Sequence, residues 1–350
     1  MLRIAKLLMP VEWALVLGGL LTVALYAHFG LEMPGQPGPS GDRGPFLFYL
    51  KQIYTSLYLY ALLFNLYVAC KVFSVCRSHR WSFRSVPWRA FWPTALRRFD
   101  PVEVVQDARF FHAVLLMFIE FQLLKHLIPH VHPGVYDGVF LATERLVCGG
   151  RVCAEWLHLA LGMGAANAVS THYHWYYHFL IGVPATFILV AERRLAQEYL
   201  FAFVLLFLLG VLFVFLIPTW GPAFYAPELF TFIGSTESGG LQQDLWSMKG
   251  ALEKNPHDRT HLFSISGFPS LHVAVVLLGS IYIRKINYFL SLVSWSFLLL
   301  IVNSTIYLGW HYVLDDVGSV VLVFASIWIA RRVSWEWRVW FPVGQVDEAP

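Results

Sequence analysis

The sequence predicts an all-α fold: a polytopic membrane helix bundle of about eight transmembrane helices. Three observations predict it. The 350 residues are 57% hydrophobic and only 13% charged, with a mean hydropathy of +0.58; a soluble domain carries about 25% charged residues. Several apolar runs approach the ~20 residues a helix needs to cross a bilayer. The formal net charge of +3 is gathered in short basic clusters between those runs. That is a topology signal, not the broad basic face that binds nucleic acid, so no nucleic-acid partner is expected.

The elements follow in order. The first apolar run, Leu8 to Ala27, comes after Arg3 and Lys6. It is long for a secretory h-region, contains Glu12 and lacks a small-x-small cleavage site before Gly30, so it is expected to be a retained span. The Pro/Gly-rich stretch from Met33 to Pro45 breaks regular structure. A second span is expected over Phe46–Phe73, followed by a basic loop with Arg77, Arg80, Arg84, Arg89, Arg97 and Arg98. The third run, Phe110–Ile128, is apolar except for Glu120, Lys125 and His126. Tyr136–Ala168 is mixed in character and reads as short amphipathic segments lying in the interface. Five further spans are expected at Tyr173–Val190, Phe201–Leu216, Phe268–Ile283, Asn287–Leu308 and Tyr312–Ala330.

The positive-inside rule tests this list, because basic loops must alternate with non-basic ones. Arg3/Lys6, the loop ending at Arg98, Arg193/Arg194, Arg284/Lys285 and Arg331/Arg332 fall on one side when eight spans are drawn, with both termini cytoplasmic. The expected organisation is a two-span region (residues 1–107), a membrane core (108–335) whose last five spans carry the chemistry, and a tail (336–350). The connection over residues 218–267 lies on the outer side. Its start, Pro218-Thr219-Trp220-Gly221-Pro222, suggests an ordered lid. Cys148 and Cys153 sit on that same side, where a disulfide is permitted. Five residues is the wrong spacing for one helix face, so pairing requires a break in the helix; both states remain open. Cys70 and Cys76 are expected to be free thiols.

Two short segments carry the chemistry. Gly267-Phe268-Pro269-Ser270-Leu271-His272 enters one span, and Tyr307-Leu308-Gly309-Trp310-His311-Tyr312-Val313-Leu314-Asp315-Asp316 enters the last. The orientation puts both on the extracytoplasmic side. Pro269 suits the first helical position, where its missing N–H costs nothing. A helix starting there offers free N–H groups and the positive dipole end to a phosphate, with Ser270 as cap and phosphate contact. His311 and Asp315 are four apart and share a helical face. A carboxylate so placed fixes the imidazole tautomer and leaves the other nitrogen as a nucleophile. His272 faces the same spot as general acid. Leu271–Ile283 is short, about 20 Å at ~1.5 Å per residue, so His272 lies in a recess.

These segments resemble the second and third motifs of the type-2 phosphatidic acid phosphatase superfamily, Pro-Ser-Gly-His and Ser-Arg-x5-His-x3-Asp. Here they read Pro269-Ser270-Leu271-His272, and Ser304-Thr305 followed by His311 and Asp315. The spelling looks most like the branch containing inositol phosphorylceramide synthases and their bacterial relatives, with a looser likeness from about Asp137 to Arg332. The resemblance implies a phosphatidic-acid-phosphatase-like core and a phosphohistidine on His311, oriented by Asp315, with His272 protonating the leaving oxygen. It also implies a substrate site involving Ser270, Ser304, Thr305, Tyr307 and His178, no cofactor, and residence in a bacterial inner membrane. The first family motif, Lys-x6-Arg-Pro, is absent, and the third-motif arginine is Thr305. A site with fewer cations suits a phosphodiester better than a monoester dianion, which favours headgroup transfer from a membrane lipid to a lipid or polyol acceptor, unless Lys249, Lys254, Arg259 or local histidines replace those cations. Hydrolysis to free phosphate is the alternative, and a non-catalytic lipid transporter or scaffold is the alternative of another class.

Other features have plainer readings. His172, His174 and His178 with their aromatic neighbours read as an interfacial belt, so no metal site is expected. Glu120 within a span must be protonated or paired. Glu144 and Glu155 read as interfacial groups, and Asp316 as a cap or supporting group. Oligomeric state is not legible.

Overall fold

The computed structural model describes residues 9–31, 76, 89, 101–255 and 265–340. Among them all regular structure is helical. The principal helices are α1 (Pro10–His28), α2 (Pro101–His126), α3 (Asp137–Val147), α4 (Cys153–Leu161), α5 (Ala166–Val190), α6 (Arg193–Leu216), α7 (Glu237–Lys254), α8 (Leu271–Ile283), α9 (Tyr288–Tyr307) and α10 (Val313–Trp340). By length and composition α1, α6, α9 and the first part of α10 can cross a membrane, and α8 is a shorter apolar helix. The fold is an all-α membrane bundle. The expected spans at 110–128 and 173–190 form α2 and α5, but the charges of α2 and the histidines of α5 keep them out of that apolar set. The expected span at 46–73 lies outside the described residues.

α6 occupies the centre, against α10, α2, α8, α5 and α1. It is buried on nearly every side from Ala196 to Val214, and an all-round apolar helix requires such a position. The core joins Phe203 and Phe207 of α6 to Val273–Leu278 of α8 and to Leu322 and Val323 of α10. Outward faces of α9 and α10 expose Phe289, Val293, Leu299 and Phe324, as lipid-facing surfaces do.

One end of this bundle is fixed by charge. Glu198 of α6 accepts hydrogen bonds from the Tyr282 hydroxyl (2.7 Å), Lys285 Nζ (3.2 Å) and Arg331 Nε (3.1 Å). Arg193 pairs with Asp107, and Arg109 Nε donates to Glu12 at 2.8 Å. The basic ends of α6, α8 and α10 therefore lie together with the starts of α1 and α2. At the opposite end, α3 and α4 form a hairpin. Gly149 and Gly150 take positive φ (69° and 88°) between them, and the resulting break lets Cys148 and Cys153 form a disulfide with Cα atoms 5.5 Å apart. Cys76 is a buried free thiol; Cys70 lies outside the described residues.

Candidate active site

Both histidine-bearing segments meet at the end opposite Glu198. Ser270 is the N-cap of α8, its hydroxyl accepting from the Val273 N–H at 3.4 Å. Pro269 therefore precedes the cap and does not occupy the expected first helical position: residues 265–270 are non-helical, and the serine side chain takes the capping role. The start of α8 is tied to α10 by the Ser270 N–H, which donates to the Asp315 carbonyl (3.2 Å). The buried Ser319 hydroxyl also bridges, reaching the Ser270 carbonyl at 2.6 Å and the Asp315 carbonyl at 2.8 Å.

That docking aligns a chain of side chains. Tyr173 Oη lies 2.8 Å from His272 Nε2, His272 Nδ1 lies 3.0 Å from His311 Nε2, and His311 Nδ1 lies 3.3 Å from Asp315 Oδ2. Asp315 Oδ2 already accepts the Tyr312 N–H at 2.8 Å. If it is an acceptor toward His311 too, each donor role follows by counting, since a neutral imidazole has one N–H. His311 Nδ1–H donates to Asp315, His272 Nδ1–H donates to His311 Nε2, and the Tyr173 hydroxyl donates to His272 Nε2. Burial pulls the His311 imidazole down to about 4, so it is neutral at pH 7, with the Nε2 electron pair accepting the His272 Nδ1–H.

Backbone and carboxylate contacts hold this arrangement. The buried Asp137 accepts from the N–H groups of Trp220 (2.8 Å) and Gly221 (2.9 Å) and from the Tyr312 hydroxyl (3.1 Å). Glu144, also buried, accepts from the Val313 N–H at 2.7 Å. It thus satisfies an orphan donor at the start of α10. Burial raises both carboxyls above their ordinary range, and the backbone N–H groups oppose that rise. Gly221 sits at φ +98°, and a Cβ there would lie 2.4 Å from the Trp310 carbonyl oxygen, so only glycine lets the lid segment lie on the His311 turn. The carbonyl end of α9 is closed by His158 Nε2 to the Tyr307 oxygen (2.8 Å) and by Gln242 Nε2 to the Leu308 oxygen (2.9 Å).

A cavity of about 480 Å³ opens onto His272 and His311. It extends along α2 from Leu115 to Lys125 and along α5 from Tyr173 to Ile181, roughly 15 Å of helix on one side. Its walls are mainly aliphatic and aromatic. The other sequence-selected residues divide around it. Ser270 is fully buried as a cap. Thr305 turns its hydroxyl back to the Val302 carbonyl (3.0 Å), and Tyr307 donates to the Gly162 carbonyl (2.8 Å). Ser304 is buried, and neither it nor Thr305 nor Tyr307 is part of the cavity wall. His178 is exposed on α5, away from the wall. His174 bonds the Ser170 carbonyl (2.7 Å), and no group of His, Cys, Asp and Glu suited to a metal occurs among the described residues. Glu144 proves to be buried, and Glu155 accepts the Val152 N–H at 2.8 Å.

Sequence reasoning missed Tyr173, which sits inside the run examined for its histidines. It treated Lys125 only as a blemish on an expected span, although the residue lines the histidine cavity.

A family model of the PAP2 superfamily matches residues 151–329, half of the chain. The chain belongs to the PAP2 superfamily. Membership places it among phosphatase- and phosphotransferase-type lipid enzymes. The match covers α4 to α10 and so includes His272, His311, Asp315 and Tyr173. It stops short of α1, α2 and α3. No curated protein and no solved structure matches the chain. In this PAP2 protein the Lys249 Nζ lies over the rings of Trp220 (4.5 Å) and Trp246 (4.6 Å) and pairs with Glu253. It stands outside the histidine cavity, Lys254 is exposed, and Arg259 lies outside the described residues.

Proposed function

We propose that this PAP2 protein is a metal-independent lipid phosphotransferase that acts through a phosphohistidine. The substrate displaces the His272 Nδ1–H from His311 Nε2, which then attacks phosphorus; the bond from phosphorus to the leaving oxygen breaks, and His272, protonated on both nitrogens once the anionic phosphate is bound, gives that oxygen its Nδ1 proton and is left neutral. Asp315 holds the His311 Nδ1–H and stabilises the ring as charge develops. In the second half, His272 takes the proton of an acceptor hydroxyl, which attacks phosphorus and frees His311. Tyr173 positions His272 through both halves.

The observation that carries this reading is the unbroken order Tyr173, His272, His311, Asp315 at the polar end of an elongated apolar cavity. The polar end suits a headgroup, and the slot between α2 and α5 suits a hydrocarbon chain. The likeness of the motif spelling to inositol phosphorylceramide synthases and their bacterial relatives supports transfer over hydrolysis. The basic ends gathered around Glu198 support a cytoplasmic placement of that end, with the histidines opening to the outer leaflet of a bacterial inner membrane.

The test is incubation of the purified chain with headgroup-labelled phospholipid, with and without a polyol acceptor. Acid-labile, base-stable label on the wild type and none on His311→Ala is expected, together with a new labelled phospholipid or phospho-polyol. Release of phospho-headgroup or free phosphate alone would make it a phosphatase. Label retained by His311→Ala would remove the nucleophile assignment.

A further inference from the structure

We propose that the outward face of the α3–α4 hairpin is a contact surface for anionic phospholipid, with Arg145 and Arg151 on lipid phosphates, and that this contact steadies the segment bearing His311. The inference stands whichever reaction the histidines perform.

The hairpin has two unlike faces. Asp137, Phe140 and Glu144 fall three and four apart on α3 and are buried, as are Ala154 and His158 on α4. That inner face grips the reactive segment. Glu144 accepts the Val313 N–H, His158 bonds the Tyr307 carbonyl, and Phe140 packs against Phe268 and Tyr312 with ring centres 5.5 and 5.7 Å away. The other face is apolar and open. On α3, Val139, Ala142 and Leu146 recur at three and four and Val147 follows; α4 and the turn after it add Trp156, Leu159, Leu161 and Met163. Leu146 is 84% exposed, Val147 74% and Leu159 64%. Large apolar side chains gathered on one side of a short hairpin mark a surface that meets something other than water.

Charge and position choose the occupant. The exposed charged side chains of the hairpin are Arg145 and Arg151, whereas Asp137, Glu144 and Glu155 each accept a backbone N–H. The Arg151 guanidinium lies 5.6 Å from the centre of the Trp156 ring, and the Trp156 indole N–H donates to the Cys148 carbonyl at 2.8 Å. An apolar face edged by arginine and tryptophan suits the headgroup layer of a membrane, where the arginines meet phosphate and the apolar side chains meet acyl carbon. The surface also continues a lipid-facing one: α3 is bonded to the start of α10, which exposes Val317, Val320 and Val321. A second copy docked here about a two-fold axis would present a rim of the same sign. Because the Cys148–Cys153 disulfide ties the two helices together, whatever fixes the outer face also fixes the inner one.

The test uses the purified full chain in nanodiscs of phosphatidylcholine, with and without phosphatidylglycerol. Photoreactive p-benzoylphenylalanine replaces Leu146 or Leu159, with the exposed Leu299 of α9 as a lipid-facing control, and adducts are read by mass spectrometry. Leu146 and Leu159 should yield lipid adducts enriched in phosphatidylglycerol at least about threefold over its share of the lipid, and Leu299 should yield adducts without enrichment. Arg145→Gln with Arg151→Gln should abolish the enrichment, and the corresponding Lys pair should keep it. Phosphatidylglycerol should also slow amide hydrogen exchange across residues 307–316 in the wild type and not in the Gln pair. Four outcomes would overturn the proposal: no lipid adduct at either hairpin position while Leu299 is labelled, adducts joining two copies, enrichment that survives in the Gln pair, or exchange indifferent to phosphatidylglycerol. None of these readouts requires turnover, so the expected adducts and exchange with no turnover of any lipid would sink the enzymatic reading alone.

Discussion

Helices α8 and α10 each reach a polar cluster at both ends, and the two clusters are built on opposite terms. At one end Glu198 faces Tyr282, Lys285 and Arg331, so a single carboxylate is answered by two cations and a hydroxyl. At the other, His311 and Asp315 are almost wholly buried, Asp315 Oδ1 has no hydrogen-bond partner among the described residues, and the cation on the cavity wall comes from a different helix. A completed cluster stabilises a fold. An incomplete one, with two imidazoles opening onto a cavity, is held ready for a ligand at the expense of stability. The two ends of one bundle thus separate what keeps the helices together from what they do.

The sharpest way to break this distinction is a pair of variants. His311→Ala should lower activity at least about 10⁴-fold, as loss of a nucleophile does, with little change in thermal midpoint. Glu198→Ala should do the reverse. It leaves the buried Tyr282 hydroxyl without its acceptor and two cations without theirs. Because Lys285 and Arg331 are each more than a third exposed, the cost should be about 2 kcal/mol, below the ~3–5 expected when the stranded charge is fully buried. Activity per folded molecule should be unchanged. The measurements are initial rates and detergent-phase unfolding on both proteins; a large catalytic loss in Glu198→Ala would mean that the two ends are coupled.

A smaller effect sharpens the reactive end. Tyr173→Phe removes one hydroxyl, at 2.8 Å from His272 Nε2, and keeps the ring stacked 5.8 Å from Trp310. A hydrogen bond of this kind contributes about 1 kcal/mol, so kcat should fall roughly five- to tenfold. KM should hold, because the hydroxyl acts through His272. A change confined to KM would make Tyr173 part of the cavity wall and nothing more.

The parts of the site that could be read in the sequence were those set by local geometry. His311 and Asp315 do meet at the spacing of four, but not on one helix: His311 lies in the non-helical turn before α10, and Asp315 of the first helical turn reaches back to it. Ser270 caps because Ser-x-x leaves an N–H for its hydroxyl. Helix positions followed from apolar runs; the Cys148–Cys153 disulfide stayed open in the sequence, because it depends on the backbone break at Gly149 and Gly150. What stayed hidden depended on packing between distant helices. Tyr173 reaches His272 across 99 positions, and Glu144 meets the Val313 N–H across 169; no periodicity encodes either. The position of Pro269 was misjudged because proline suits both the first helical residue and the one before a cap, and only the backbone distinguishes them.

The smallest expected effect compares how the two ends respond to acid. With the His311 imidazole pulled down to about 4 by burial and an unfolded value near ~6.5, the unfolded chain binds a proton between those values and the folded chain refuses it. The stability tied to this ring is therefore complete above about pH 6.5, declines as pH falls toward the folded value, and changes no further below it. His311→Asn removes that dependence, so its unfolding midpoint should fall less than the wild type's between about pH 7 and 4.5. The same contrast governs catalysis: a nucleophile already neutral at pH 6 has no proton to lose before attack, so the acid limb of kcat should lie below the range of an ordinary histidine. Identical acid sensitivity in the two proteins would mean that the native ring takes up its proton freely, and the reactive end would then be as charge-balanced as the Glu198 end it is contrasted with.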